Sequence, residues 1–112
     1  MADYIVTGSG LVPADGAGTY VETGVVNGKP YYYNGFKYLF WSSGNELWAI
    51  SEINGTSSPN FRWYDTSGYT GYYPAQSGYT PQNAQGTAIV TSDGPVPPLP
   101  STLEDKTTYR FK

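Results

Sequence analysis

The apolar and polar positions along this chain alternate over short stretches, and glycine, proline and asparagine break the alternation. Tyr4-Ile5-Val6-Thr7 reads as a first strand, ended by Gly8-Ser9-Gly10. A loop follows, with Pro13, Asp15-Gly16 and Gly18 as breakers. Gly18 to Thr23 then alternates as a half-buried strand does, Tyr20 and Glu22 on one face and Val21 on the other. From Asn27 to Tyr64 the aromatic residues concentrate: all three tryptophans, three of the four phenylalanines and five of the twelve tyrosines. Asn27-Gly28 and Asn34-Gly35 bracket Tyr31-Tyr32-Tyr33, and Asn54-Gly55 closes the apolar run after Trp48. Asn-Gly suits a type I′ hairpin turn because both central residues need positive φ. The segment between these turns is aromatic or β-branched, the side chains that pack well on a pleated surface. A meander of antiparallel strands around an aromatic core is the expected outcome.

Register follows from turn placement. With Asn34-Gly35 central, Tyr33 opposes Phe36, Tyr32 opposes Lys37 and Tyr31 opposes Tyr38. A second tight turn at Ser43-Gly44 sets Phe40 against Leu47, Leu39 against Trp48 and Tyr38 against Ala49. One face then holds Tyr31, Tyr33, Tyr38, Phe40, Leu47 and Ala49. The other holds Tyr32, Leu39, Trp41, Trp48 and Ile50. Both are apolar, so each is expected to be covered, one by the other strands and one by a partner or the chain's own tail.

After Ser57-Ser58-Pro59-Asn60 comes a further strand, Phe61 to Asp65. Residues 65–86 are loop-like, and Ser67-Gly68-Tyr69-Thr70 recurs as Ser77-Gly78-Tyr79-Thr80. Tyrosine with Ser and Gly is the composition of binding loops, since the ring gives rigid area and the hydroxyl a hydrogen bond. Lying flat over the sheet's aromatic face is the competing role for the same tyrosines. Gly86 to Thr91 reads as the last strand of a domain spanning 1–93. Residues 94–112 form an extended arm, with four prolines between Pro95 and Pro100. Fully extended, such an arm reaches roughly 60 Å. Thr107 to Phe111 has strand character and suits addition to a neighbour's sheet edge.

Composition narrows the function classes. The 112 residues suffice for one domain with its own core. There is no cysteine, so disulfides and thiolate metal sites are excluded, and no histidine, so a Ser-His-Asp arrangement is excluded too. Six Lys and Arg against nine Asp and Glu disfavour nucleic acid as a partner. No apolar stretch approaches the length of a membrane span, and Met1-Ala2-Asp3-Tyr4 opens no signal peptide. Gly8-Ser9-Gly10 lacks the third glycine of a phosphate loop, Pro13 standing there instead. Glu46 and Glu52 flank one strand, where solubilisation is the ordinary role. Asp65-Thr66-Ser67-Gly68 lacks the later acidic ligands of a calcium loop. No cofactor or metal is implied, and no enzyme is expected.

Several blocks resemble a recurrent small β-module. They are Tyr4-Ile5-Val6-Thr7-Gly8-Ser9-Gly10, Gly18-Thr19-Tyr20, Asn27-Gly28-Lys29-Pro30-Tyr31-Tyr32, Tyr38-Leu39-Phe40-Trp41 and Leu47-Trp48-Ala49-Ile50-Ser51. The module recurs, often in tandem, in phage virion proteins and in bacterial and protist surface proteins, and the resemblance covers about residues 4–65. It implies a structural or adhesive role and brings no catalytic residues. This chain departs from the pattern in carrying one copy and a Pro-rich arm. The expected fold is all-β, a small antiparallel meander, sandwich or barrel-like domain with an extended C-terminal arm. The expected function is a non-enzymatic virion component, a capsid decoration protein or a fibre or tail accessory, with a carbohydrate-binding or adhesive module as the alternative. Its partners would be other virion or assembly proteins, a second copy, or a glycan. Trp63, Tyr69, Tyr72, Tyr73 and Tyr79 are the expected contact residues in the domain, and Trp48 is a further stacking platform for a sugar. Pro97, Leu99, Leu103, Tyr109 and Phe111 are those in the arm.

Overall fold

A computed structural model describes residues 3–54 and 61–99. Among them, eight antiparallel strands run up and down in chain order and close into a barrel. They are β1 (Asp3–Thr7), β2 (Gly18–Val26), β3 (Lys29–Tyr33), β4 (Tyr38–Ser42), β5 (Leu47–Ser51), β6 (Trp63–Tyr64), β7 (Gly78–Pro81) and β8 (Ala88–Asp93). β1 closes the ring by pairing β2 on one side, Tyr4 opposite Tyr20, and β8 on the other, Val6 opposite Val90. The all-β expectation holds, and of its alternatives the barrel is the one formed. Among the described residues no helix is long and apolar enough to cross a membrane.

Period-2 alternation sends one side chain in two to the axis. The interior is packed with Tyr4, Tyr20, Tyr32, Tyr79, Trp48 and Trp63, none more than 1% exposed, and with smaller residues such as Val6, Leu39, Ile50 and Val90. Buried phenols need partners, and two find carbonyls in their own loops. Tyr20 donates to the Gly16 carbonyl at 2.6 Å and Tyr79 to that of Ala75 at 2.8 Å. Burial, the main cause, pushes the pKa of both hydroxyls up. Gly16 sits in a 3₁₀ turn (Ala14–Gly16) against the Trp63 ring, where a Cβ would collide with the indole. Outside the wall, Phe40, Ala49 and Phe61 make a second cluster, flanked by Val26, Tyr31, Tyr38, Leu47 and Tyr64. Tyr33 stacks on Tyr38 at 4.5 Å between centroids.

The two faces fall out as expected, although both hairpin registers differ from expectation. Tyr33 opposes Tyr38, not Phe36, and Ser42 opposes Leu47, so each loop has four residues, not two. At the first loop the Asn34 side chain explains the change. Its Oδ1 accepts from the Phe36 and Lys37 amides at 2.9 and 2.7 Å, and its Nδ2 donates to the carbonyls of Asp15 and Ala17. The asparagine forms a side-chain turn tied to the β1–β2 loop. At the second loop the left-handed residue is Glu46, φ 57°, whose amide donates to Ser42 at 2.7 Å. Each register is displaced by an even number of positions, so every side chain keeps its face. Asn27-Gly28 does form the two-residue turn, with φ of 55° and 82° and Val26 opposite Lys29.

Two further expectations change. Residues 65–86 are not all loop: β7 lies within them, pairing with β6 and β8. The outer aromatic cluster is already buried among its own neighbours, Phe40 at 0% and Phe61 at 5% exposure. Gly55 of the third Asn-Gly pair, and the strand expected at Thr107 to Phe111, lie outside the described residues.

Candidate functional site at the upper mouth of the barrel

Strand alternation sorts the connections into two ends. The turn 27–28, loops 43–46 and 65–77, and the chain after β8 lie at one, here the upper end. The segments 8–17, 34–37, 52–62 and 82–87 lie at the lower end.

The lower end is closed by paired charges. Lys37, its side chain 3% exposed, sets its ammonium 2.6 Å from Asp15 and 3.4 Å from Glu52. Arg62 grips both oxygens of Glu52 at 3.1 Å and donates to the Asn83 carbonyl at 2.7 Å. Slight burial raises the Glu52 pKa, but the Arg62 hydrogen bond and charge, with Lys37, outweigh it and hold the carboxyl below its usual range. Trp63 Nε1 donates to the Gly86 carbonyl at 2.9 Å. An open groove of about 340 Å³, lined by Val12, Pro13, Arg62, Asn83, Ala84 and Gln85, lies beside this network. Its guanidinium already has partners.

The upper end is covered by loop 65–77. Asp65, 2% exposed, clamps the loop's two ends: Ser67 Oγ donates to Oδ2 and Ser77 Oγ to Oδ1, each at 2.7 Å. The tip is pinned from below. Lys29 Nζ donates to the Thr70 and Gly71 carbonyls at 2.7 and 2.9 Å while lying 3.5 Å from the Trp41 ring centroid. Trp48 Nε1 also donates to Gly71, at 3.3 Å. Burial lowers the Lys29 pKa, and the carbonyls and indole face supply the compensating contacts. A Cβ on Gly71 would meet the hydroxyl end of the Tyr69 side chain, which would have to move aside.

Beneath the loop lies a group of phenols. The Tyr4 ring meets Tyr32 edge-on at 5.0 Å, and Tyr32 sits directly across from Glu22. Tyr72 and Tyr73 meet edge-on at 5.0 Å, and Tyr73 donates to the Pro98 carbonyl at 3.0 Å, tying the start of the arm to the loop. Burial raises the pKa of Tyr4 and Tyr32 first, and Tyr73 and Glu22 add to both. Tyr4 also lies opposite Tyr20, two residues before Glu22 on the same inward face of β2, and Tyr73 packs against the core cluster that holds Tyr4 and Tyr32. The Tyr4 hydroxyl is buried with no hydrogen-bond partner among the described residues.

The expected contact residues therefore divide. Trp63 and Tyr79 are interior residues at 0% exposure and offer no face to a ligand, and the same is true of Trp48. Tyr69, 41% exposed, and the half-buried Tyr72 and Tyr73 come together on loop 65–77. Pro97 is half-buried and Leu99 exposed, whereas Leu103, Tyr109 and Phe111 lie outside the described residues. Sequence reasoning missed Tyr4, Glu22, Lys29 and Tyr32. One signal was present: the alternation that sends Tyr20 inward sends Glu22 the same way, a carboxylate on a core-facing position. The Asp65 stretch holds its carboxylate with serine hydroxyls, and among the described residues no group of three acidic side chains is placed to bind a metal.

Compared with known proteins, the chain matches no family model, no curated protein and no solved structure.

Proposed function

We propose that this chain is a non-enzymatic structural module that works by docking, set in the virion as a capsid decoration protein or a fibre or tail accessory. The observation that supports docking is where the apolar side chains sit. The barrel axis is filled with aromatic rings, so the outer wall and the ends are the surfaces open to other molecules. Val21, Val25, Phe36, Ile89, Val96 and Leu99 stand between 38% and 66% exposed there. The virion setting rests on the resemblance of residues 4–65 to the recurrent β-module. Deleting residues 94–112 should abolish incorporation into particles while the barrel stays folded by circular dichroism; normal incorporation would discard the reading.

A sugar-binding role has narrower support. With Trp48 and Trp63 interior, its stacking platforms reduce to Tyr69, Tyr72 and Tyr73. Glycan-array binding that disappears in Tyr69→Ala would favour it.

A further inference from the structure

Among the described carboxylates, three have their donors. Asp15 and Glu52 hold Lys37 and Arg62, and Asp65 holds two serines. Glu22, half-buried, lies across from Tyr32 on the inward face of β2 and makes no hydrogen bond or ion pair with the described residues. Tyr4, whose ring packs on Tyr32 and which lies opposite Tyr20 two residues before Glu22, has a fully buried hydroxyl with no partner among the described residues. A phenol left so carries a desolvation cost that a bound donor or acceptor would recover. Tyr4 meets Tyr32 edge-on, Tyr73 of the loop above packs against the same core cluster, and Tyr69 stands on that loop as well.

An unpaired carboxylate among aromatic rings matches one ligand chemistry best. A cation gains from the carboxylate and from the ring faces together, and an ammonium can also donate to a phenol oxygen. The same mouth already holds one ammonium in this way: Lys29 lies on the Trp41 face with its protons on two carbonyls. A neutral sugar would meet the hydroxyls but would leave Glu22 without a counter-charge. We infer that the upper mouth takes the ammonium of a lysine side chain presented by the docking partner, bound by Glu22 and the Tyr4 hydroxyl and enclosed by Tyr32, Tyr69 and Tyr73. This assignment rests on the docking reading above and names the chemistry of one contact within it.

The test is NMR of the full chain with labelled tyrosine rings, titrated with Nα-acetyl-lysine methylamide, its norleucine counterpart and glucose. Saturable shifts at Tyr4, Tyr32, Tyr69 and Tyr73 with the lysine compound alone are expected. The isosteric Glu22→Gln should weaken that binding about tenfold, equivalent to about 1.4 kcal/mol. Tyr4→Phe, which breaks no hydrogen bond to the described residues, should weaken it while leaving the fold intact. Equal response to norleucine, a response to glucose instead, an unchanged Glu22→Gln, or no shift at all would each overturn the site. Its failure is separable from failure of the docking reading, because particle incorporation of the arm deletion is read independently.

Discussion

The tetrapeptide Ser-Gly-Tyr-Thr occurs twice, ten residues apart, and the two copies have opposite fates. Ser67-Gly68-Tyr69-Thr70 is loop: Gly68 has a φ of +84°, Tyr69 is 41% exposed, and the Thr70 carbonyl accepts from Lys29. Ser77-Gly78-Tyr79-Thr80 leads into β7, where Gly78 opposes Ile89, Tyr79 opposes Ala88 and Thr80 opposes Tyr64. There Tyr79 is fully buried. Yet both serines reach the same Asp65 carboxylate. Local propensity is identical in the two copies, so it cannot be what separates them. The second copy has β6 on one side and β8 on the other to complete its backbone hydrogen bonds, and the first has none. Position in the ring makes one tyrosine core and leaves the other at the surface.

The largest effect expected from breaking that contrast is at the buried copy. Tyr79→Ala should cost about 3–5 kcal/mol in urea denaturation, as aromatic-to-alanine changes in cores do. A smaller loss would mean that the interior closes over the gap. Alkaline pH tests the same burial without mutation. Tyr4, Tyr20, Tyr32 and Tyr79 all have raised pKa values, chiefly by burial. The unfolded chain releases these phenol protons near pH 10 while the folded barrel retains them, so stability present below about pH 10 should fall as pH rises beyond it. Lys29, with its lowered pKa, acts in the opposite sense as a single group. A melting temperature that stays flat above pH 10 would contradict this. Next in size, Asp65→Ala frees both serines together and should cost about 1–3 kcal/mol. Hydrogen exchange should quicken across 65–77 with little change in β1 and β8. Smallest is Tyr69→Ala, expected to stay within about 0.5 kcal/mol of the parent. A cost at Tyr69 comparable to that at Tyr79 would erase the distinction.

Much of the wall was legible because its signals are local. Alternation in Gly18 to Thr23 placed Tyr20 and Val21 correctly, and the faces of β3, β4 and β5 survived wrong registers because the period of two preserves them. What was not legible depended on distant partners. Nothing near Asn34 announces that its amide reaches Asp15 and Ala17, and no glycine marks Glu46 as the left-handed residue of its loop. β7 was invisible for the reason its twin shows: only its neighbours make it a strand. At the mouth, composition singled out Tyr69, Tyr72 and Tyr73 but not Tyr4 or Lys29. Those two belong to the site through contacts made on closure, from the far side of the chain.

Pairing β1 with both β2 and β8 has a consequence for how copies of this chain can meet. Among the described residues every strand of the ring is paired on both sides over at least part of its length, so none is left as a wholly open edge to template another chain's backbone. Self-association through the barrels, if it occurs, would then rest mainly on side chain against side chain, wall to wall or end to end, a matter of surface shape rather than of threading.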